Sequence, residues 1–253
     1  MEILNLVDME NGTIRYKISK FPDGQKQVDL IDLIYPFNGL MNNKVVKIKS
    51  RLSSFYDLEL ILCATASLKE LGYNDIELYI PYFIGARSDR KFKDGGNNYL
   101  KSVICPIINS QNYKSVTVLD PHSDVLEACL KNFNKISNSS LVKNSLTKID
   151  NKNGAQERIT IVSPDAGALK KVYDIASEFK ISNILVGQKV RDENGKILHS
   201  DIPGIEKHKD KTFVIIDDIC DGGRTFIEIA KVIKDHHKSA NINLIVTHGI
   251  FSS

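Results

Sequence analysis

Apolar residues recur along this chain in two rhythms. Short continuous or alternating runs at 45–48, 76–80, 116–119, 159–162, 184–186, 213–216 and 242–246 read as strands. Between them the spacing lengthens to that of a helix. Leu58, Ile61, Leu62, Thr65 and Leu68 mark a helix over 57–71 that Gly72 ends. Leu100, Val103, Ile104, Ile107 and Ile108 mark a second, bent by Pro106. Leu169, Val172, Tyr173, Ala176 and Phe179 mark a third, and Phe226, Ile229, Ala230 and Ile233 a fourth. Alternating strands and helices predict an α/β fold of mainly parallel sheets flanked by helices. The first 34 residues read as short strands, with Asn11-Gly12 predicted to close a hairpin between 3–7 and 13–18, and Phe21-Pro22-Asp23-Gly24 a further turn. Residues 134–157 are rich in Asn, Ser and Lys, with room for one short helix, and the strand–helix pattern restarts after them. Two domains are therefore expected, 1–140 and 141–253.

Composition narrows the function classes. Hydrophobic content of 42% and charged content of 26% are those of an ordinary globular chain. The net charge is +3 and the charges are interspersed, which argues against nucleic acid or a membrane surface as partner. No apolar run reaches the ~20 residues of a membrane span. Residues 1–11 lack the basic region and apolar core of a secretory signal, so a cytoplasmic location is expected. Cys63, Cys105, Cys129 and Cys220 form no Cys-x-x-Cys pair and read as reduced packing residues.

The chemistry concentrates in Val214-Ile215-Ile216-Asp217-Asp218-Ile219-Cys220-Asp221-Gly222-Gly223-Arg224-Thr225. A buried strand ends in two carboxylates, a Gly-Gly turn follows, and a helix begins near Thr225. Unpaired amides at a helix start, with the helix dipole, favour an anion. Gly222 and Gly223 let the backbone approach it closely. Thr225 offers a hydroxyl donor and Arg224 a positive charge. Asp217 and Asp218 accept hydrogen bonds and match the vicinal hydroxyls of a sugar. A phosphate cradle beside a diol clamp fits a ribose 5-phosphate unit. A plain strand-to-helix turn would use the same glycines, with Asp221 as a helix cap. The segment resembles the phosphoribosyl-diphosphate motif of the type I phosphoribosyltransferase fold, shared by phosphoribosyltransferases and ribose-phosphate pyrophosphokinases.

A second stretch separates those two. Pro81-Tyr82-Phe83-Ile84-Gly85-Ala86-Arg87-Ser88-Asp89-Arg90-Lys91 resembles the Pro-Tyr…Ala-Arg-Gln-Asp-Arg-Lys signature of ribose-phosphate pyrophosphokinases, which ordinary phosphoribosyltransferases lack. Lys20-Phe21-Pro22-Asp23-Gly24, Asp120-Pro121-His122-Ser123-Asp124, Ser163-Pro164-Asp165-Ala166-Gly167 and Thr247-His248-Gly249-Ile250-Phe251-Ser252 are similar to further motifs of that family, in its order. The resemblance implies two phosphoribosyltransferase-like domains and transfer of diphosphate from ATP to the anomeric hydroxyl of ribose 5-phosphate, with Mg²⁺ as cofactor. It also implies a homo-oligomer, dimer or hexamer. Carried over residue by residue, it assigns Arg87, Ser88, Asp89, Arg90 and His122 to ATP. Lys189, Arg191 and His122 become catalytic, with Lys189 and Arg191 in a flexible loop that closes over the transferring phosphates. His122 and Asp165 become metal-side residues. Asp217, Asp218, Asp221, Gly222, Gly223, Arg224 and Thr225 hold ribose 5-phosphate. Two positions depart from the pattern: Ser88 replaces Gln, and Gly222-Gly223-Arg224-Thr225 replaces the commoner Thr-Ala-Gly-Thr. A phosphoribosyltransferase would account for the cradle but not for Arg87 to Lys91. A catalytically dead regulatory relative would be expected to have lost the loop cations or His122. His236 and His237 read as surface residues.

Overall fold

The computed structural model describes residues 1–31, 44–153, 159–191, 197–208 and 212–252. The chain divides into two compact units, Met1–Ile136 and Ser137–Ser253. Among the described residues no helix is long and apolar enough to cross a membrane.

The first unit holds β1 (Glu2–Asn5), β2 (Tyr16–Lys20), β3 (Lys26–Leu30), β4 (Val46–Lys49), α1 (Phe55–Glu70), β5 (Ile76–Ile80), α2 (Cys105–Ser110), β6 (Ser115–Leu119), α3 (Val125–Cys129) and β7 (Phe133–Ile136). Its sheet has the order β1-β4-β5-β6-β7, and every pairing is parallel. Leu4, Ile48, Leu78, Ile80, Val116 and Val118 are buried with Ile61, Ala64 and Leu68 of α1 in one core. α1 starts where Ser54 and Asp57 cap each other's backbone amides. The predicted helix is present and changes type along its length: a π-helical turn over Leu100–Ile104 runs directly into α2, and Pro106 lies in the first turn of α2 just after that change.

The N-terminal hairpin is elsewhere than the dipeptide signal predicted. Asp8 accepts from the Glu10 amide at 3.2 Å and caps a 3₁₀ turn over Met9–Asn11, which returns Thr13 N to Ile3 O at 2.8 Å but closes no strand pair, and β1 pairs in parallel with β4. The antiparallel pair is β2 with β3, joined through Phe21-Pro22-Asp23-Gly24. This hairpin is tied to α1 by the Lys26–Glu59 ion pair at 2.5 Å and by Ser67 Oγ donating to Val28 O at 2.8 Å.

The second unit holds α4 (Ser139–Asn153), β8 (Ile159–Ser163), α5 (Leu169–Glu178), β9 (Ile184–Val186), β10 (Gln188–Arg191), β11 (Ile197–Asp201), β12 (Thr212–Cys220), α6 (Arg224–His236) and β13 (Asn241–Gly249). The sheet β13-β12-β8-β9 is parallel throughout, while β10 and β11 form a separate antiparallel pair. Most of the polar stretch at 134–157 is thus regular structure. The end of β7 and the helix α4 occupy it, and α4 is anchored by Val142 and Leu146, whose sparse apolar spacing hid it among Asn, Ser and Lys. Residues 154–158 lie outside those described.

β12 explains the long apolar run. Its alternate residues serve two cores, as a central strand covered on both faces requires. Phe213 and Ile215 pack with Phe226, Ile229 and Ile233 of α6. Val214 and Ile216 pack with Val172, Ile175 and Ala176 of α5 and with Val142 and Leu146. Burying each such large side chain contributes roughly 1.5–3 kcal/mol. On α5 it is Ile175 that is buried, whereas Tyr173 is exposed.

Candidate active site

In the second unit, β12 does not stop at its acids. It runs on to Cys220, held against β13 with Asp217 opposite Val246 and Ile219 opposite His248. Asp217 and Asp218 therefore lie inside the strand rather than closing it, and backbone pairing fixes them. Asp217 is half-buried, and Asp218 is buried. Asp221-Gly222-Gly223 makes the turn, and α6 starts at Arg224, one residue before Thr225. Gly223 takes φ +73°, a conformation that costs a residue with a Cβ roughly 1–2 kcal/mol. The amides of Phe226 and Ile227 are the first to bond within the helix, both to Gly223 O, at 3.0 and 3.1 Å. Those of Arg224 and Thr225 precede them, as at any helix start. The far side of the turn is pinned by the C-terminal motif. The Ile250 amide donates to Cys220 O at 2.8 Å, and the Ser252 hydroxyl donates to the Asp221 carboxylate. Arg224 is exposed and lies along its own helix, with Nε donating to Glu228 Oε1 at 2.8 Å.

The acids form one electrostatic group. The Asp218 amide donates to Asp217 Oδ1 at 2.8 Å. Burial, then the adjoining Asp218 carboxyl, and more weakly the charge of Asp165 push the Asp217 carboxyl up to about 8. Lys171 of α5 places its ammonium 3.5 Å from Asp218 Oδ2. Asp165 follows β8, and its Oδ1 accepts from the amides of Gly167 and Ala168 at 3.0 and 3.3 Å, which shapes the turn into α5. Among the described residues no three His, Cys, Asp or Glu side chains converge on one metal position. A single carboxylate such as Asp165 suits Mg²⁺, which keeps most of its waters and takes its remaining ligands from substrate phosphates.

The cationic loop lies in the first unit, after β5. Phe83 bridges to Leu52, and the turn 84–87 is closed by Ser88 N donating to Gly85 O at 2.7 Å. Asn98 Nδ2 donates to Asp89 O at 2.7 Å and ties the loop to the segment ahead of α2. Arg87 and Arg90 are exposed, Ser88 and Asp89 half-buried, and Arg90 stands 5.3 Å over the Phe92 ring. His122 is exposed at the carboxyl end of β6. Two residues before it, buried Asp120 takes φ +42°, a strained conformation for a residue with a side chain. Lys189 and Arg191 lie on strand β10, so their segment is a strand of an antiparallel pair.

Two residues escape sequence reading. Lys171 adjoins buried Val172 at the edge of the apolar stripe of α5, and nothing in its spacing ties it to Asp218, 47 positions away. His237 is not a surface residue. It stacks on Phe213 with ring centroids 5.4 Å apart, and its Nε2 lies 2.9 Å from Ile205 O. Its place at the end of α6 was the available signal. All four cysteines are free, and burial pushes the Cys105 thiol up to about 12.

Comparison with known proteins gives consistent matches. Residues 131–249 match the phosphoribosyl transferase domain family. A ribose-phosphate pyrophosphokinase of Ureaplasma parvum is 28% identical over 267 residues, covering 100% of this chain and 72% of that protein. One from a Marinomonas species is 27% identical, covering 93% of this chain and 71% of that protein. The crystal structure of phosphoribosylpyrophosphate synthetase from Mycobacterium smegmatis superposes with a TM-score of 0.80 at 15% identity, covering 100% of this chain and 83% of that one. At that identity it speaks for the fold.

Proposed function

We propose, from the similarity of this chain to ribose-phosphate pyrophosphokinases and to the phosphoribosyl transferase domain, that it transfers the terminal diphosphate of ATP to the anomeric hydroxyl of ribose 5-phosphate. The observation that carries this reading is the β12–α6 turn. Two strand-held carboxylates stand beside a left-handed glycine and the open first amides of a helix. That combination matches one sugar diol and one phosphate.

The sugar hydroxyls go to Asp217 and Asp218, and the 5-phosphate goes to the turn from Asp221 to Thr225. Arg87, Ser88, Asp89, Arg90 and His122 take ATP. In the transfer a bond forms from the anomeric oxygen to the β-phosphorus, and the α–β anhydride bond breaks. The hydroxyl proton is released, and phosphoribosyl diphosphate and AMP leave. Such chemistry needs alignment and charge neutralisation more than covalent help. Lys189 and Arg191 neutralise the charge that builds on the transferring group. Mg²⁺ would supply shielding of the polyphosphate charge, with Asp165 of the second unit and His122 of the first as the candidate residues toward it. The reading extends to a cytoplasmic homo-oligomer, dimer or hexamer, and the free cysteines fit a reducing compartment.

The test is direct. Purified protein is given ATP, Mg²⁺ and ribose 5-phosphate, and AMP is followed. AMP above a no-sugar control is expected, and its absence removes the proposal.

A further inference from the structure

We infer that Lys171 is a positioning residue for the sugar: it holds the Asp218 carboxylate in the direction from which the ribose hydroxyls are read. The inference rests on assigning ribose 5-phosphate to the β12–α6 turn.

Asp218 is an expensive residue where it stands. Its side chain is 6% exposed, between Ile216 and Ile219 on the part of β12 that runs beyond its pairing with β8. A carboxylate there must be paired. An apolar residue of similar size at such a site commonly serves stability as well or better. The pair therefore answers a need other than stability. Lys171 reaches Oδ2 from α5 at 3.5 Å and is itself only 27% exposed, so solvent does not screen the contact as it would a surface ion pair.

The same helix start also fixes the third acid. Asp165 is bound to the amides of Gly167 and Ala168, immediately before α5 begins at Leu169. The turn into α5 thus sets Asp165, the first turn of α5 carries the cation on Asp218, and the strand amide of Asp218 sets Asp217. With the Asp217 carboxyl adjoining it, the Asp218 carboxylate is held in one direction by a fixed internal cation, the Lys171 ammonium. A ligand group needs such outer support to present a defined geometry.

The experiment is titration calorimetry of the whole protein with ribose 5-phosphate alone, alongside steady-state kinetics with ATP. Lys171→Met is expected to weaken sugar binding on the order of tenfold, the low end for losing a group that orients a ligating one. The KM for ribose 5-phosphate rises with it, while the ATP KM and kcat stay near wild type. Lys171→Arg restores most of the affinity. Because Lys171 acts through Asp218, adding Lys171→Met to Asp218→Asn costs little beyond Asp218→Asn alone. Unchanged sugar affinity in Lys171→Met overturns the inference. So does a fall in kcat at unchanged sugar KM, which would put the ammonium on the transferring group, and so does full additivity in the double variant. If Lys171→Met does not fold, Lys171→Gln carries the same comparisons. A wild-type protein that binds the sugar but makes no AMP sinks the proposed reaction and leaves this inference standing. One that binds no sugar removes both.

Discussion

The backbone N–H of Asp218 donates to the carboxyl of Asp217 at 2.8 Å, so the Asp217 side chain is oriented by the strand position of its neighbour. Burial and the neighbouring Asp218 carboxyl raise Asp217 to about 8. An unfolded aspartate titrates near ~4. Between those values the native state holds a proton that the unfolded chain has released. Stability from this group is therefore full below the unfolded value and is lost as pH rises through about 8. Without metal or substrate, the melting temperature should fall from about pH 5 to about pH 8, and Asp217→Asn should flatten that slope. A wild-type slope that Asp217→Asn leaves unchanged would assign the effect to another group.

Gly85 is a packing point of the cationic loop. It takes φ +71°, and a Cβ there would lie 2.3 Å from Cδ1 of Tyr99. Gly85→Ala must displace that ring as well as strain the backbone, at a cost of roughly 2 kcal/mol or more. We expect a lower melting temperature and a raised ATP KM, with ribose 5-phosphate affinity little changed. A variant as stable as wild type with normal ATP kinetics would mean that the ring moves aside at no cost and the loop is not an ATP element.

Lys189 and Arg191 should act on rate rather than on nucleotide affinity. Contacts made mainly in the transition state lower kcat when removed. Lys189→Ala and Arg191→Ala should each cut turnover by about 10²-fold or more, the scale of losing one stabilising donor, with the ATP KM within a few-fold. A raised ATP KM at normal kcat would make either residue a ground-state binding contact.

How much of this was legible in the sequence differs by element. β5 and β9 were readable residue for residue, because bordering turns bounded their apolar runs. The Asn11-Gly12 signal failed because Asp8 offered the backbone a competing local cap. β12 was underestimated for a related reason. Aspartate is a poor strand former, so its pattern ends at Ile216, but pairing with β13 carries the strand through both acids to Cys220. The cradle itself was visible, because glycines, acids and a helix start are local. The Lys171–Asp218 pair was not, because periodicity says nothing about which helix covers which strand position.

A divalent cation should be required. The substrates carry several phosphate charges that side chains alone neutralise poorly. Asp165, bound to the amides of its own turn, offers oxygen of the kind that suits Mg²⁺. Excess chelator should abolish AMP formation, and added Mg²⁺ should restore it. Full activity in chelator would end the metal assignment.

The assignment of sugar and nucleotide can itself be reversed by experiment. The turn from Asp221 to Thr225 is short and suits one phosphate. The Asp218 carboxylate would repel a bare triphosphate. Asp218→Asn keeps the size of the side chain and removes the charge, so sugar binding should weaken while binding of a non-hydrolysable ATP analogue stays measurable. Gly223→Val should do more harm. At φ +73° a β-branched residue is strained, and its side chain intrudes where the backbone must approach the phosphate. Calorimetry of both variants with each ligand, Mg²⁺ present, decides the matter. If the analogue no longer bound while ribose 5-phosphate still did, the nucleotide would belong to the β12–α6 turn. The paired acids would then have to be reread as ligands of its metal.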